Sequence, residues 1–96
     1  MNVLVTYDVR TDSAEGAKRL RQVAKICENY GVRVQNSVFE CTVDSAQLVK
    51  FRQQVTEAMD LGKDSLRIYY LGKGWVKNVE HHGAKDPLDV QGPLVV

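Results

Sequence analysis

The segment that most constrains the fold lies at the start of the chain, where residues 3–9 read VLVTYDV. Three consecutive apolar β-formers predict a strand that is buried on both faces, and therefore a central strand of a sheet. Asp8 comes at the C-terminal end of this strand. One interpretation makes Asp8 a turn or N-cap residue, since aspartate favours both positions. The other makes it a metal-binding carboxylate that the rigid strand holds in place.

Length and charge limit the classes of protein to which the chain can belong. Its 96 residues predict one domain, and 44% hydrophobic with 26% charged residues is ordinary for a globular protein. The formal net charge of +1 does not indicate a nucleic-acid partner, so any basic surface must be local. Cys27 and Cys41 are expected to be reduced and buried, because no CxxC or histidine-spaced pair supports zinc. With neither a signal-peptide pattern nor a membrane-spanning run, we expect a cytoplasmic protein with no membrane partner.

The first helix is predicted between Asp12 and Gly31. Asp12 and Glu15 make an acidic variant of the capping box, and apolar residues follow at helical spacing. Gly31 is expected to end the helix in a left-handed conformation. The opposite face of this helix carries the densest basic cluster in the chain, which is either a solvated surface or a phosphate-contacting one. The cluster consists of Lys18, Arg19, Arg21 and Lys25.

Three more strands and a second helix follow. Residues 32–43 are rich in β-branched residues and predict two short strands with a bend between them, or one longer bulged strand. Asp44 and Gln47 form the capping box of the second helix, which Gly62 is expected to close. Residues 65–71 predict the fourth strand. The resulting order βαββαβ predicts an α+β, ferredoxin-like fold, in which an antiparallel sheet carries both helices on one face.

The other face of this sheet is left without helices. It must accept alternate residues of strands that are apolar almost throughout, as where Leu4 lies between Val3 and Val5. An apolar face without helices predicts a partner that covers it. We therefore expect a homodimer that forms through the sheet faces.

The C-terminal part of the chain is expected to be an extension of a single domain that spans residues 1–96. Residues 72–96 are too many for a fraying end, and a short strand is predicted around Val79. Residues 93–96 (PLVV) predict a terminal strand. This tail strand would add to the edge of its own sheet or of a partner's sheet, which makes residues 72–96 a dimer-docking extension.

Three segments of the chain resemble the CRISPR-associated adaptation protein two family of small ferredoxin-like homodimers. The segments are residues 3–9, residues 33–40 (RVQNSVFE) and residues 66–69 (LRIY), and the resemblance covers the whole length. It implies that two chains stack their helix-free sheet faces around a two-fold axis. It also implies that Asp8 from each chain reaches a shared site for a divalent metal, which we take as Mg²⁺.

The family resemblance also implies a function in the acquisition of CRISPR spacers. The dimer would be a duplex-DNA-binding scaffold that bridges two copies of an integrase dimer, and the integrase would supply the integration chemistry. Some members are reported as metal-dependent nucleases on RNA or double-stranded DNA, so a free endonuclease is the alternative. A third class, an acylphosphatase-like module, needs a glycine-rich phosphate loop beside Arg10, which the sequence lacks. The nearly neutral charge departs from the more basic pattern of the family.

The residues near Asp8 in sequence predict weak catalysis. One carboxylate cannot hold Mg²⁺, whereas two related by symmetry can, with water completing the octahedral shell. Two carboxylates about 5 Å apart repel by about 3 kcal/mol at an effective dielectric of about 20, so a cation between them is favoured. Tyr7 and Ser37 are candidate phosphate or water ligands. His81 and His82 are interpreted as surface residues of the tail.

Overall fold

The computed structural model describes residues 1–72 and 79–84. Within them, strands and helices follow one another in the order βαββαββ, which confirms the α+β, ferredoxin-like prediction together with the short strand predicted around Val79. The elements are β1 (Asn2–Asp8), α1 (Ala14–Glu28), β2 (Gly31–Gln35), β3 (Val38–Thr42), α2 (Ser45–Ala58), β4 (Ser65–Tyr70) and β5 (Val79–Gly83).

All five strands form one antiparallel sheet in the order β2-β3-β1-β4-β5. The predicted central position of β1 is confirmed: Val5 lies opposite Phe39 of β3 on one side and Ile68 of β4 on the other. The short strand predicted around Val79 is present as β5 and pairs with β4 of its own chain. The terminal strand predicted at residues 93–96 lies outside the described residues.

The core lies between the sheet and the two helices. Val3, Val5 and Tyr7 of β1 are buried on this side, together with Phe39 and Phe51 from β3 and α2. Two cysteines belong to the same core, and both are free and buried, as the sequence predicts. Burial raises the pKa of the Cys27 thiol to about 12, which leaves it protonated and unreactive. None of the helices described here is long and apolar enough to cross a membrane.

The opposite face of the sheet carries a row of cross-strand neighbours, one from each strand. Along this row Val32 lies opposite Glu40, Glu40 opposite Leu4, Leu4 opposite Tyr69, and Tyr69 opposite Val79. Leu4, Tyr69 and Val79 are half-buried, and the side chain of Val32 is 69% exposed. The helix-free face is therefore apolar along its middle row, with one exposed acid in that row.

The ends of α1 differ from the prediction. Ser13 rather than Asp12 is the N-cap, and its hydroxyl accepts a hydrogen bond from the Gly16 N–H at 3.0 Å. Gly31 has no positive φ and is the first residue of β2. A Cβ at Gly31 would lie 2.3 Å from the carbonyl oxygen of Glu40, so glycine is required here by close packing against β3.

The start of α2 is as predicted, but its end is not. Asp44 and Gln47 form the reciprocal capping box, with hydrogen bonds of 2.7 and 2.9 Å between side chain and backbone. The helix ends at Ala58 with Met59 as an extended C-cap. Gly62 has no positive φ and belongs to the following turn, where its N–H donates to the Asp60 side chain.

A polar cluster on the helix side of the sheet attaches β5 to α2. The Glu80 carboxylate accepts hydrogen bonds from Arg52 Nε at 2.5 Å, Arg52 Nη2 at 2.9 Å and the Tyr70 hydroxyl at 2.5 Å, and it contacts His82 Nε2. Burial opposes the charge on Glu80, but the hydrogen bonds from Arg52, His82 and Tyr70 outweigh it and lower the pKa to about 2. Glu80 is therefore charged at neutral pH, and it fixes β5 and His82 against the helix layer.

Candidate functional site

Asp8 lies at one end of the helix-free face, as the strand period predicts. It is the last residue of β1, is exposed, and pairs with Ser65 at the start of β4. A small cavity of about 190 Å³ opens beside it. The residues that line this cavity are Thr6, Tyr7, Asp8, Ser65 and Arg67. We refer to it as the Asp8 cavity.

A buried carboxylate, Asp64, fixes the loop that follows Asp8. Asp64 is fully buried and accepts hydrogen bonds from the backbone N–H of Arg10 at 3.0 Å and of Asp60 at 2.9 Å, and from Arg19 Nε at 2.8 Å. Burial would raise the pKa of Asp64, but the bonds from Arg19, Asp60 and Arg10 outweigh it and lower the pKa. The charged carboxylate therefore joins the start of β4 to the loop two residues beyond Asp8.

This contact changes the interpretation of the basic cluster on α1. The side chain of Arg19 is only 16% exposed, because it pairs with the buried carboxylate of Asp64, just before β4. Lys18, Arg21 and Lys25 are exposed on the outer surface of the helix. The structure thus separates Arg19, which has an internal ionic partner, from the three cations that remain accessible to a ligand.

The two candidate hydroxyl ligands have other surroundings. Tyr7 is 5% exposed, its ring stacks on Phe39, and its hydroxyl donates to the Asn36 carbonyl at 3.4 Å. Its side chain follows the strand alternation to the helix side, opposite to that of Asp8. Ser37 lies in the turn between β2 and β3, where its carbonyl accepts from the Tyr7 N–H at 3.1 Å. Ser37 borders a second cavity, formed by this turn, and not the Asp8 cavity.

Two residues that the sequence did not assign to the site lie next to Asp8 on the helix-free face. Arg67 is opposite Thr6 across β1 and β4, and His81 is opposite Arg67 across β4 and β5. Arg67 Nε donates to His81 Nδ1 at 3.3 Å, and His81 Nε2 lies 3.2 Å from the Gly83 carbonyl oxygen. This pair could not be predicted from local sequence patterns, because it depends on the register between β4 and β5.

The donor set of one chain does not complete a magnesium site. Within residues 1–72 and 79–84, no group of three or more His, Cys, Asp or Glu residues is placed to hold a metal ion. The Asp8 cavity offers one carboxylate, with the hydroxyl-bearing residues Thr6 and Ser65 on the same face. Mg²⁺ commonly uses one or two carboxylates and keeps several waters. The single carboxylate of one chain is the minimum of this donor set, and a second Asp8 from another chain would make the fit to Mg²⁺ better.

Comparison with known proteins identifies the family. The sequence model of the family described as CRISPR associated protein Cas2 matches residues 1–79. The CRISPR-associated endoribonuclease Cas2 of Chlorobaculum tepidum is 56% identical over 96 residues and is covered in full, as is this chain. The CRISPR-associated endonuclease Cas2 of Halalkalibacterium halodurans is 58% identical over 95 residues, which is 99% of each chain. The crystal structure of Streptococcus pyogenes Cas2 at pH 6.5 matches with a TM-score of 0.71 and 55% identity, over 83% of this chain and 96% of that chain. The chain belongs to the Cas2 family of CRISPR-associated proteins.

Proposed function

We propose that this chain is a homodimeric Cas2 protein that acts on nucleic acid, with a Mg²⁺-dependent nuclease site where Asp8 of one chain meets Asp8 of the other. The observation that carries the proposal is the helix-free sheet face, which is apolar along its middle row and presents the Asp8 cavity at one end. When two copies stack such faces, the two-fold axis lies in the plane between them, and residues near the axis meet their own counterparts in the second copy. The face therefore supplies both the dimer contact and the second carboxylate.

The dimer proposal predicts the effect of a charge placed in the middle row. Leu4→Glu is expected to dissociate the dimer, because a carboxylate would be buried between two apolar faces without a partner. The matched control is Val49→Glu on α2, where the native side chain is 58% exposed and the change should leave the dimer intact. Sedimentation at micromolar concentration measures both variants and the wild type. A wild-type chain that sediments with the mass of one chain would exclude the proposal.

The chemistry of the proposed site follows from its donors. Asp8 from each chain would hold Mg²⁺, which when bound polarises a phosphate oxygen and lowers the pKa of a bound water. The exposed position of Asp8 leaves room for substrate. Arg67 lies two residues along β4 from Ser65, which is the cross-strand partner of Asp8. The relatives from Chlorobaculum tepidum and Halalkalibacterium halodurans carry the names endoribonuclease and endonuclease, which supports phosphodiester hydrolysis here. Single-turnover cleavage by the wild type and by Asp8→Asn tests this activity.

The second candidate function is that of a duplex-DNA-binding scaffold that bridges two integrase dimers in spacer acquisition. The resemblance to the adaptation family and the exposed cations of α1 support it. Scaffolding needs the dimer and the DNA-binding surface but not the Asp8 carboxylate. A stable complex of the purified chain, the integrase and duplex DNA tests the scaffold function, and failure of the three components to associate would exclude it.

The DNA surface is proposed to be the outer face of α1, with Lys18, Arg21 and Lys25 as phosphate contacts. Contacts of this kind make affinity fall steeply with salt and show little sequence preference. Replacing both Lys18 and Arg21 with Gln should reduce the slope of log affinity against log salt by about 2 or more, counting both chains. The control replaces Lys50 and Lys63, exposed cations outside α1, and should leave the slope unchanged. Equal slopes for the wild type and the α1 variant would place the DNA elsewhere.

A further inference from the structure

Arg67, one of the residues that line the Asp8 cavity, carries a strong hydrogen-bond donor that the described part of the chain does not use. Among residues 1–72 and 79–84, Nη2 of Arg67 is buried and has no hydrogen-bond partner. Native proteins pair nearly all such groups, because a buried donor that has lost its water is unfavourable. The same side chain lines the cavity next to Asp8. The unused donor, on a residue that borders the cavity, indicates an acceptor that the described chain does not supply.

The guanidinium of Arg67 is held in one orientation by β5. Its Nε–H donates to His81 Nδ1 at 3.3 Å, which requires that His81 carry its ring proton on Nε2. That proton points to the Gly83 carbonyl oxygen, 3.2 Å away. A chain of two hydrogen bonds thus fixes the guanidinium from the side remote from β1, and Nη2 is left without an acceptor in the described chain.

We infer that Arg67 is the phosphate-binding residue of the Asp8 site, where its guanidinium donates to the nonbridging oxygens of a nucleic-acid phosphodiester. This inference rests on the proposed nuclease function and names the group that binds its substrate. Asp8 and Arg67 are diagonal neighbours in an antiparallel pair, and such neighbours have Cα atoms about 7–8 Å apart. The long arginine side chain therefore reaches the same phosphate as a metal ion held by Asp8.

The chemistry of Arg67 and Asp8 favours a phosphodiester over a neutral ligand. The planar guanidinium matches the paired oxygens of a phosphate and binds them through two parallel hydrogen bonds. During hydrolysis these oxygens gain negative charge, so a fixed cation contributes more in the transition state than in the ground state. Asp8 alone would repel the phosphate, and Arg67 offsets that repulsion.

The first test is cleavage of a short duplex DNA and of a short RNA with Mg²⁺ under single-turnover conditions. Arg67→Gln is expected to lower the rate at least about 100-fold, as for loss of one fixed donor to a developing oxyanion. Arg67→Lys keeps the positive charge but lacks the paired donors of the planar guanidinium, so it should recover only part of the lost cleavage rate. Lys50→Gln removes one exposed cation from the outer face of α2 and should keep the wild-type rate.

The second test is binding, which does not depend on turnover. The same oligonucleotides are titrated into Asp8→Asn with and without Arg67→Gln, and the added change is expected to weaken affinity. If the wild type cleaves neither substrate, the nuclease proposal fails, but weaker binding by the double variant still supports Arg67 as the phosphate ligand. Equal affinities, or an unchanged cleavage rate in Arg67→Gln, would overturn the inference.

His81 acts through Arg67, as a positioning residue. His81→Leu removes the acceptor for Nε and should lower cleavage in the same direction as Arg67→Gln. His81→Asn offers its amide oxygen as an acceptor for Nε and should recover part of the rate. In the Arg67→Gln background, His81→Leu should have little further effect, because the group that it positions is gone. Independent, additive losses would overturn the positioning role.

The alternative use of Arg67 is structural. In a stacked dimer its guanidinium could serve as the counter-ion of the paired Asp8 carboxylates rather than as a substrate ligand. Arg67→Gln would then dissociate the dimer in sedimentation, and Asp8→Asn would restore it. That pair of results would overturn the inference, whereas an intact dimer with weakened binding supports it.

Discussion

Asp8→Asn is expected to abolish metal-dependent cleavage while the fold, the dimer and DNA binding survive. The change removes both carboxylates from the proposed shared site, since each chain contributes one. Loss of a group that hydrogen-bonds to a metal ligand already lowers metal affinity or activity by about 10–100-fold. Loss of both carboxylates, the ligands themselves, is therefore expected to lower the cleavage rate by more than about 100-fold. Removal of the like charges should also stabilise the dimer in the absence of metal. Single-turnover cleavage, with and without a chelator, measures the effect.

Asp12→Asn is the matched control for this experiment. Asp12 lies four residues beyond Asp8, its side chain is 73% exposed, and its contact with Arg10 Nε is long, at 4.0 Å. The change should leave cleavage and stability at wild-type values. If Asp8→Asn unfolds the protein, Asp8 is a turn residue; if it folds and cleaves at the wild-type rate, the activity belongs to another site. The structure already gives the N-cap of α1 to Ser13 and not to Asp8.

Some parts of the fold that follow from local sequence were predicted correctly, although the N-cap of α1 was placed one residue early, at Asp12. The apolar run of β1 and the capping box of Asp44 depend on residues within a few positions of one another. The alternation of β1 also places Asp8 on the face opposite Val3 and Val5, which is where the structure has it. The central strand and the position of its terminal acid were therefore accessible from the sequence.

The contacts that complete the site depend on distant pairings. Arg19 and Asp64 are 45 positions apart, and nothing in the helical pattern distinguishes Arg19 from the neighbouring cations. His81 faces the Asp8 side only because β5 pairs with β4 in the observed register. The prediction that Gly31 adopts a left-handed conformation was wrong for a related reason. Glycine is required at this position by the approach of β3, not by the end of α1. Single-sequence patterns do not contain these tertiary constraints.

Asp64→Ala is expected to lower the free energy of unfolding by about 3–5 kcal/mol, the usual cost of removing one partner from a buried charge network. The carboxylate is fully buried, and its loss leaves the backbone N–H groups of Arg10 and Asp60 without their acceptor. Asp12→Ala serves as the control, because the Asp12 side chain is exposed and its loss should change stability little. Urea unfolding at one fixed protein concentration measures both variants, since the stability of a dimer depends on concentration.

A double-mutant cycle separates the Arg19 contact from the backbone contacts of Asp64. Arg19→Met should cost stability in the wild type and much less in the Asp64→Ala background, whereas Arg21→Met should have the same small effect in both. Equal effects of Arg19→Met in the two backgrounds would mean that Arg19 does not interact with Asp64 and belongs with the exposed cations of α1.

The pH dependence of stability gives an independent check on the charge of Asp64. Hydrogen bonds from Arg19 and two backbone N–H groups outweigh burial and hold the pKa of Asp64 below its ordinary value. A carboxyl whose pKa is lower in the folded state stabilises the fold fully above its unfolded pKa of about 3.9, and that stabilisation is lost as pH falls through the folded value. The stability difference between wild type and Asp64→Ala should therefore be constant near neutral pH and shrink below about pH 4. A difference that grows on acidification would mean that Asp64 is protonated in the folded protein, and that its hydrogen bonds to the Asp8 loop do not depend on charge.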